Sequence, residues 1–141
     1  MQSAKQMNIQ VGPFEVREAG DIDRAFATMA GSEAVLVQYD SLMETHQQQI
    51  DELAVRYRLP TVYDNRLHVV KGGLIAYGAD IRDNYRYGAS YVDRILRGAR
   101  PKDLPVYQSS LFQLVINLNT AQAIGLSVPP SLLARANELI E

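Results

Sequence analysis

The chain has 141 residues, a one-domain length, and 47% of them are hydrophobic, which is enough for an ordinary globular core. Its formal net charge of −2 gives no signature of a nucleic-acid partner, so none is expected. The absence of cysteine and the presence of only two histidines exclude disulfides, thiolate nucleophiles, cysteine-based zinc sites and a histidine-rich metal centre.

The N-terminal residues 1–7 are polar and lack the apolar core of a signal peptide, so we expect no signal peptide in this chain. No stretch approaches the roughly 20 apolar residues that a membrane-spanning helix needs.

Strands and helices alternate along the chain, which predicts an α/β fold, a three-layer sandwich with a mainly parallel sheet. Residues 8–17 alternate weakly and read as β-like, although Gly12-Pro13 interrupts them. A short helix over residues 22–30 follows, and then a buried strand over residues 34–38. Ser41 to Glu44 fits a capping box, which predicts one amphipathic helix from there to about Tyr57.

In the second half, strands are predicted over residues 60–64 and 74–77. A long helix over residues 82–97 then carries an apolar stripe at Tyr85, Ala89, Val92, Ile95 and Leu96. Residues 104–118 read as extended. Asn117 or Asn119 caps a short helix that ends at Gly125, and a final helix is expected over residues 131–140.

Three of the predicted strands end in a tyrosine followed closely by an aspartate. Parallel strands bring their carboxyl ends to one edge of a sheet, where open α/β folds bind small ligands. Aromatic faces beside carboxylates suit a small molecule with an apolar part or an ammonium group. The predicted ligand-binding residues are Tyr39, Asp40, Ser41, Tyr63, Asp64, Asn65, Tyr77 and Asp80.

Ordinary structural roles compete with this interpretation. Asp40 and Asp80 each stand at a helix start, where capping alone accounts for an aspartate. Asp64-Asn65 reads equally as a turn, and tyrosines are often half-buried at the rim of a core. His46 lies on an apolar helix stripe, which favours a packed core or rim histidine, and His68 falls in a predicted loop or short turn, where it could face a ligand or only water.

No catalytic or cofactor motif stands out, so we predict that the chain is not an enzyme and holds neither cofactor nor metal. Asp40, Ser41 and His46 lie within about one and a half turns of helix, without the strained elbow of a catalytic serine. Gly72-Gly73 precedes a strand and lacks the signature of a phosphate-binding loop.

Three stretches resemble a known family. They cover residues 59–63, residues 72–80 with 91–105, and residues 112–126 with 128–136. Their order and spacing are similar to the C-terminal half of ABC-transporter substrate-binding proteins related to tryptophan- and tyrosine-binding lipoproteins, which have the type I periplasmic-binding-protein fold.

The resemblance implies two α/β lobes that close by hinge motion on a ligand in the cleft between them. Residues 1–141 would then form the C-terminal lobe. Residues 8–80 would be its body, residues 81–104 a helix that docks on the absent first lobe, and residues 105–141 the return strand and C-terminal helices.

The expected function is therefore that of the solute-binding component of an ABC importer, with an amino acid, aromatic by preference, as ligand and an ABC permease as partner. By resemblance, the full-length protein would be periplasmic or lipid-anchored outside the inner membrane. Apolar faces made for the absent lobe predict a homo-oligomer. The alternative is an effector-sensing domain of a transcriptional regulator or signalling receptor with the same fold.

Overall fold

The structure, a computed structural model, describes residue 4, residues 6–29 and residues 31–141. The chain divides into two units, Met1–Gly31 and Ser32–Glu141. The first contains helix α1 (Ala19–Thr28), which buries Ile22 and Phe26. Ala30, the predicted last residue of that helix, lies outside the described residues.

The β-like segment predicted over residues 8–17 is wrong. Residues 6–15 are all exposed, and no strand is assigned between residues 8 and 17, all of which are described. A strand needs a buried face or a paired edge, and this weakly alternating segment has neither.

The second unit is built on a five-stranded sheet in the order β1-β2-β3-β4-β5. The β1–β2, β2–β3 and β4–β5 pairs are parallel, and the β3–β4 pair is antiparallel. The predicted α/β fold with a mainly parallel sheet is thereby confirmed. The strands are β1 (Val35–Leu36), β2 (Thr61–Tyr63), β3 (Ile75–Ala79), β4 (Phe112–Asn117) and β5 (Glu138–Ile140).

Helices follow the strands as a parallel sheet requires. Helix α4 packs on β2, β3 and β4, while α3 contacts α6. Val69, Leu74 and Ile116 are fully buried at 0% exposure. The remaining helices are α2 (Ser41–Thr45), α3 (Gln47–Tyr57), α4 (Arg66–Lys71), α5 (Ile81–Leu96), α6 (Leu118–Ile124) and α7 (Pro130–Leu133), with a 3₁₀ turn at Pro101–Asp103.

Short-range capping rules account for most helix starts. Each capping side chain accepts a hydrogen bond from a backbone N–H of the first turn, as the four orphan donors there require. The caps are Asp40 on α2, Asn65 on α4, Asp80 on α5 and Asn117 on α6. Ser41 is consequently the first residue of α2 rather than its cap.

Three other details differ from the sequence expectation. The helix predicted as one element from Ser41 to about Tyr57 is divided at His46, and Tyr57 at its end is 42% exposed. The segment expected to be a loop around His68 is the six-residue helix α4. Such a short helix carries too few turns to show a period in the sequence.

The prediction of a helix over residues 131–140 is also wrong, because α7 ends at Leu133 and β5 follows. Asn137 exchanges two hydrogen bonds of 2.8 Å with the backbone of Leu114, one from its N–H and one to its side-chain oxygen. This contact places the next residues along the open edge of β4, and tertiary pairing overrides the helical pattern.

Gly78 of β3 permits a close approach to the backbone of Asp64, the residue after β2. A Cβ atom on this residue would lie 1.8 Å from the carbonyl oxygen of Asp64. Since both partners are backbone, no side chain can move aside to relieve the contact.

We predict that Gly78→Ala lowers the free energy of unfolding by about 3 kcal/mol or more, because the added methyl group forces β2 and β3 apart. Gly88→Ala is the matched control. No heavy atom lies within 4 Å of the position of its Cβ, so a gain of about 0.5 to 1 kcal/mol in the helix is expected. Urea unfolding compares the variants, and equal stabilities would contradict the close approach.

Candidate functional site

The carboxyl ends of β1, β2 and β3 meet at one edge of the sheet, which we call the strand-end edge. Seven of the eight residues predicted to bind ligand follow or end these three strands, and the eighth, Tyr77, lies two residues before the end of β3. The structure therefore brings the predicted residues to the same edge, but their side chains differ in orientation, burial and partners.

The first strand end presents an exposed aromatic ring among carboxylates. Tyr39 is 59% exposed. The carboxylate of Glu44, which also hydrogen-bonds the Tyr39 hydroxyl, raises the pKa of that hydroxyl, and Asp64 and Asp40 add to the effect. Asp40 Oδ1 accepts from Leu42 N at 2.7 Å, so one of its oxygens is committed to the cap.

The second strand end is different, because Tyr63 points inward. Its ring is 2% exposed and stacks on His68 with ring centroids 4.9 Å apart. Its hydroxyl donates to Asp51 Oδ1 at 2.7 Å. Asp64 is exposed, and Asn65 Oδ1 accepts from Leu67 N at 2.9 Å as the cap of α4. Tyr63 thus supports the edge from below.

A buried polar network lies beneath this strand end. The Gln47 amide nitrogen donates to His68 O at 2.7 Å and to Asp51 Oδ2 at 3.1 Å, and its oxygen lies 2.9 Å from His68 Nδ1. Burial raises the pKa of Asp51, although the hydrogen bonds from Tyr63 and Gln47 partly offset this. We call Gln47, Asp51, Tyr63 and His68 the buried network.

The third strand end joins β3 to β4. Tyr77 is 60% exposed and stacks on Phe112 with centroids 5.7 Å apart. Asp80 accepts from Arg82 N at 2.9 Å and from Gln113 Nε2 at 2.7 Å. Partial burial acts to raise the pKa of Asp80, but the hydrogen bonds from Arg82 outweigh it and hold the pKa below its ordinary range.

A bidentate ion pair fastens the last strand to α4. Arg66 Nε and a terminal nitrogen of its guanidinium donate to the two carboxylate oxygens of Glu138 at 2.6 and 2.5 Å. These hydrogen bonds raise the pKa of Arg66 and lower that of Glu138. Both side chains are about one-third exposed, so solvent weakens the pair.

A small depression opens between the first and second strand ends. Its volume is about 10 Å³, roughly the room for one water-sized group. It can therefore take one polar group of a ligand and not a whole molecule. Its lining residues are Val37, Gln38, Tyr39, Asp40, Met43, Glu44, Tyr63 and His68.

Sequence reasoning missed Gln47, Asp51 and Glu44 as parts of this site and left open whether His68 faces a ligand or only water. Gln47 and His68 are 21 residues apart in the chain, so no local spacing connects them. Asn65 after a strand was the one available signal, since it caps the helix that carries His68.

Within the described part of the chain, no group of three or more histidine, aspartate or glutamate side chains is placed to hold a metal ion. None of the described helices is both long and apolar enough to cross a membrane.

Residues 1–140 match the family model of the ABC transporter substrate binding protein. The chain belongs to this family. No curated protein matches it. The family is one of substrate-binding proteins, which supports the prediction that the chain is not an enzyme.

Solved structures show the same fold. A conserved domain protein from Vibrio cholerae O1 biovar El Tor matches with a TM-score of 0.87 and 24% identity over 98% of this chain and 47% of its own. The ABC domain from Streptococcus pneumoniae in complex with L-Trp has a TM-score of 0.86 and 25% identity over 99% of this chain and 49% of its own.

A ligand-free, open substrate-binding protein with adhesive properties from Clostridium difficile has a TM-score of 0.73 and 17% identity, covering 99% of this chain and 47% of its own. The chain thus spans about half the length of these structures.

The pKa of Asp51 predicts a pH dependence that Asp51→Asn removes. Because the folded pKa lies above the ordinary 3.8, the folded state binds the proton more tightly than the unfolded state does. The stability of the wild type relative to Asp51→Asn should be greatest below pH 3.8 and fall as the pH rises through the raised pKa. Urea unfolding of both proteins, at pH values from below 3.8 to above the raised pKa, measures this difference in stability.

Glu138→Gln gives the opposite control. The folded pKa of Glu138 is lowered from 4.5, so its contribution is present above pH 4.5 and is lost as the pH falls through the lowered value. If the stability of the wild type relative to Asp51→Asn rose with pH, as its stability relative to Glu138→Gln should, burial would not be the cause that raises the pKa of Asp51.

Proposed function

We propose that the chain is the C-terminal lobe of the solute-binding component of an ABC importer and contributes its strand-end edge to an interlobe ligand cleft. The observation that carries this proposal is the convergence of three parallel strand ends, with the exposed rings of Tyr39 and Tyr77, in a member of the substrate-binding family. An ABC permease would be the partner of the full-length protein, at the periplasmic side of the inner membrane or anchored there by lipid.

An amino acid is the proposed ligand, with an aromatic one preferred. The rings of Tyr39 and Tyr77 would supply stacking surfaces, and the bound L-Trp of the pneumococcal relative supports this ligand class. Asp40, Asp64 and Asp80 would accept hydrogen bonds from the ligand, while Ser41 and Asn65 would donate to a carboxylate. Tyr63 would act beneath the ligand, as the support for His68.

Isothermal titration against the amino acids and related acids tests the ligand class on the full-length protein. Tyr39→Ala should weaken the binding of any ligand found about tenfold, because it removes an aromatic wall worth about 0.5 to 1.5 kcal/mol beyond its buried area. Tyr57→Ala is the control, since this exposed tyrosine lies at the far end of α3.

Asp64→Asn adds a test of charge, because Asp64 is exposed and caps no helix. Absence of binding across the whole panel would rule out the ligand class. Unchanged affinity in both Tyr39→Ala and Asp64→Asn would rule out the assignment of the edge.

We also propose that the chain associates with itself through α5. None of the sixteen residues of α5, all of which are described, is buried, although its apolar residues lie along one side. Tyr85 is 75% exposed, Val92 56% and Leu96 82%. A continuous apolar face of this kind is unusual on a monomer surface and supports association.

Light scattering at high micromolar concentration should give a mass above that of the 15.7 kDa monomer. Leu96→Glu should shift it toward the monomer, because it places a charge in the apolar stripe. Arg94→Glu, on the opposite side of α5, should leave the mass unchanged. A monomeric wild type would contradict self-association.

A further inference from the structure

His68 forms the floor of the depression at the strand-end edge. Its side chain is 94% buried, being only 6% exposed, and lies on α4 between the rings of two tyrosines. Its ring stacks on that of Tyr63, which lies beneath it. The ring centroid of Tyr39, on the other side, lies 6.4 Å from that of His68. Together with Glu44 and Asp40, it contributes polar groups to the lining of this depression.

The buried network fixes which nitrogen of His68 carries the proton. The Gln47 amide nitrogen must donate, since its two partners are a carbonyl oxygen of His68 and a carboxylate oxygen of Asp51. The Gln47 oxygen therefore faces His68 Nδ1, at 2.9 Å, and requires a hydrogen on it. Neutral His68 is then protonated at Nδ1 and presents a lone pair at Nε2.

The lone pair at Nε2 is open. Among the described residues, no hydrogen bond to Nε2 is formed, yet no buried side-chain nitrogen or oxygen lacks a partner. Nε2 is consequently reachable from outside, and His68 is one of the residues that line the depression. An accessible acceptor without a protein partner is free to take a hydrogen bond from an external donor.

The charges around the depression determine what kind of donor fits. The carboxylates of Glu44, Asp64 and Asp40 all act on the Tyr39 hydroxyl. The Lys71 ammonium lies 3.6 Å from Glu44 and offsets one of these charges, which leaves the surroundings negative. A cation is favoured in such a field, and the exposed face of Tyr39 attracts it further.

We propose that His68 Nε2 accepts a hydrogen bond from the ammonium group of the ligand, which enters the depression beneath Tyr39. The carboxylates of Asp40 and Glu44 balance its charge, and the rest of the ligand remains outside, since the depression admits only one such group. This inference rests on the proposed function, because it assigns one end of the ligand at the same edge.

The test uses two probes that share an indole ring. Tryptamine has the ammonium group and no carboxylate, and indole-3-propionate has the carboxylate and no ammonium. Long-range ¹H–¹⁵N correlation spectra of the 141-residue chain follow the ring nitrogens of His68. Tryptamine should shift Nε2 upfield with little change at Nδ1, whereas indole-3-propionate should shift neither.

Two variants of His68 test the roles of its two ring nitrogens separately. His68→Asn keeps a donor at the Nδ1 position for Gln47 and removes the Nε2 acceptor, so tryptamine affinity should fall about tenfold or more. His68→Gln keeps an acceptor near the Nε2 position and should retain more of the affinity. Melting curves establish that both variants fold.

The outcomes distinguish this inference from the proposed function. An unmoved Nε2 signal in the wild type overturns the inference, even if the amino-acid panel yields a ligand, and it indicates that Nε2 is satisfied by water only. A shifted Nε2 with affinity lost in His68→Asn supports the inference, whichever natural solute the panel identifies. Equal affinity of His68→Asn and wild type for tryptamine also overturns it.

Discussion

The side-chain amide of Gln47 is the contact on which the strand-end edge depends. Two buried hydrogen bonds with His68 join α3 to α4, and a third, with the half-buried Asp51, lies within α3. Each partner is a polar group that costs about 1 to 3 kcal/mol if buried without a hydrogen bond. An amide, with donors on one side and an acceptor on the other, satisfies this set, whereas a carboxylate in its place would repel Asp51 and the carbonyl of His68. Through Asp51, the same contact holds the hydroxyl of Tyr63 and thereby the end of β2.

The backbone around the buried network is closely packed and leaves little room for larger residues. A Cβ on Gly73 would lie 2.4 Å from the ring of Tyr63, and one on Gly78 would meet the backbone of Asp64. Thr61 Oγ1 accepts from Leu74 N at 3.1 Å, and buried Asn117 donates to Val69 O at 3.1 Å. The helix that carries His68 is thus tied to β4 through Val69, and the segment that follows it is tied to β2 through Leu74.

The sequence predicts those parts of the fold and site that local rules control. The caps at Asp40, Asp80 and Asn117 follow from their own first turns, and the convergence of the three strand ends follows from a parallel sheet. The interior of the site was not predictable in this way. His68 meets Gln47 across 21 residues, and β5 exists because Asn137 pairs with Leu114 across 23. Such contacts depend on how the finished elements pack, which no period in the sequence records.

The alternation of side chains between the two faces of the sheet explains why three similar tyrosine–aspartate ends have different roles. Tyr63 is opposite Ala76 in the β2–β3 register, and both are buried on the same face. Tyr77 is one residue further along, so it lies on the other face, beside Phe112. In β1, Leu36 is opposite Val62, so the next residue, Val37, lies beside Tyr63 and on the same face. Tyr39 comes two residues after Val37 and lies on that face as well, near His68. Tyr39 and Tyr77 therefore stand on opposite faces of the sheet. One ligand can contact both only if it lies across the strand-end edge, with its polar group toward His68 and its apolar part over the end of β3.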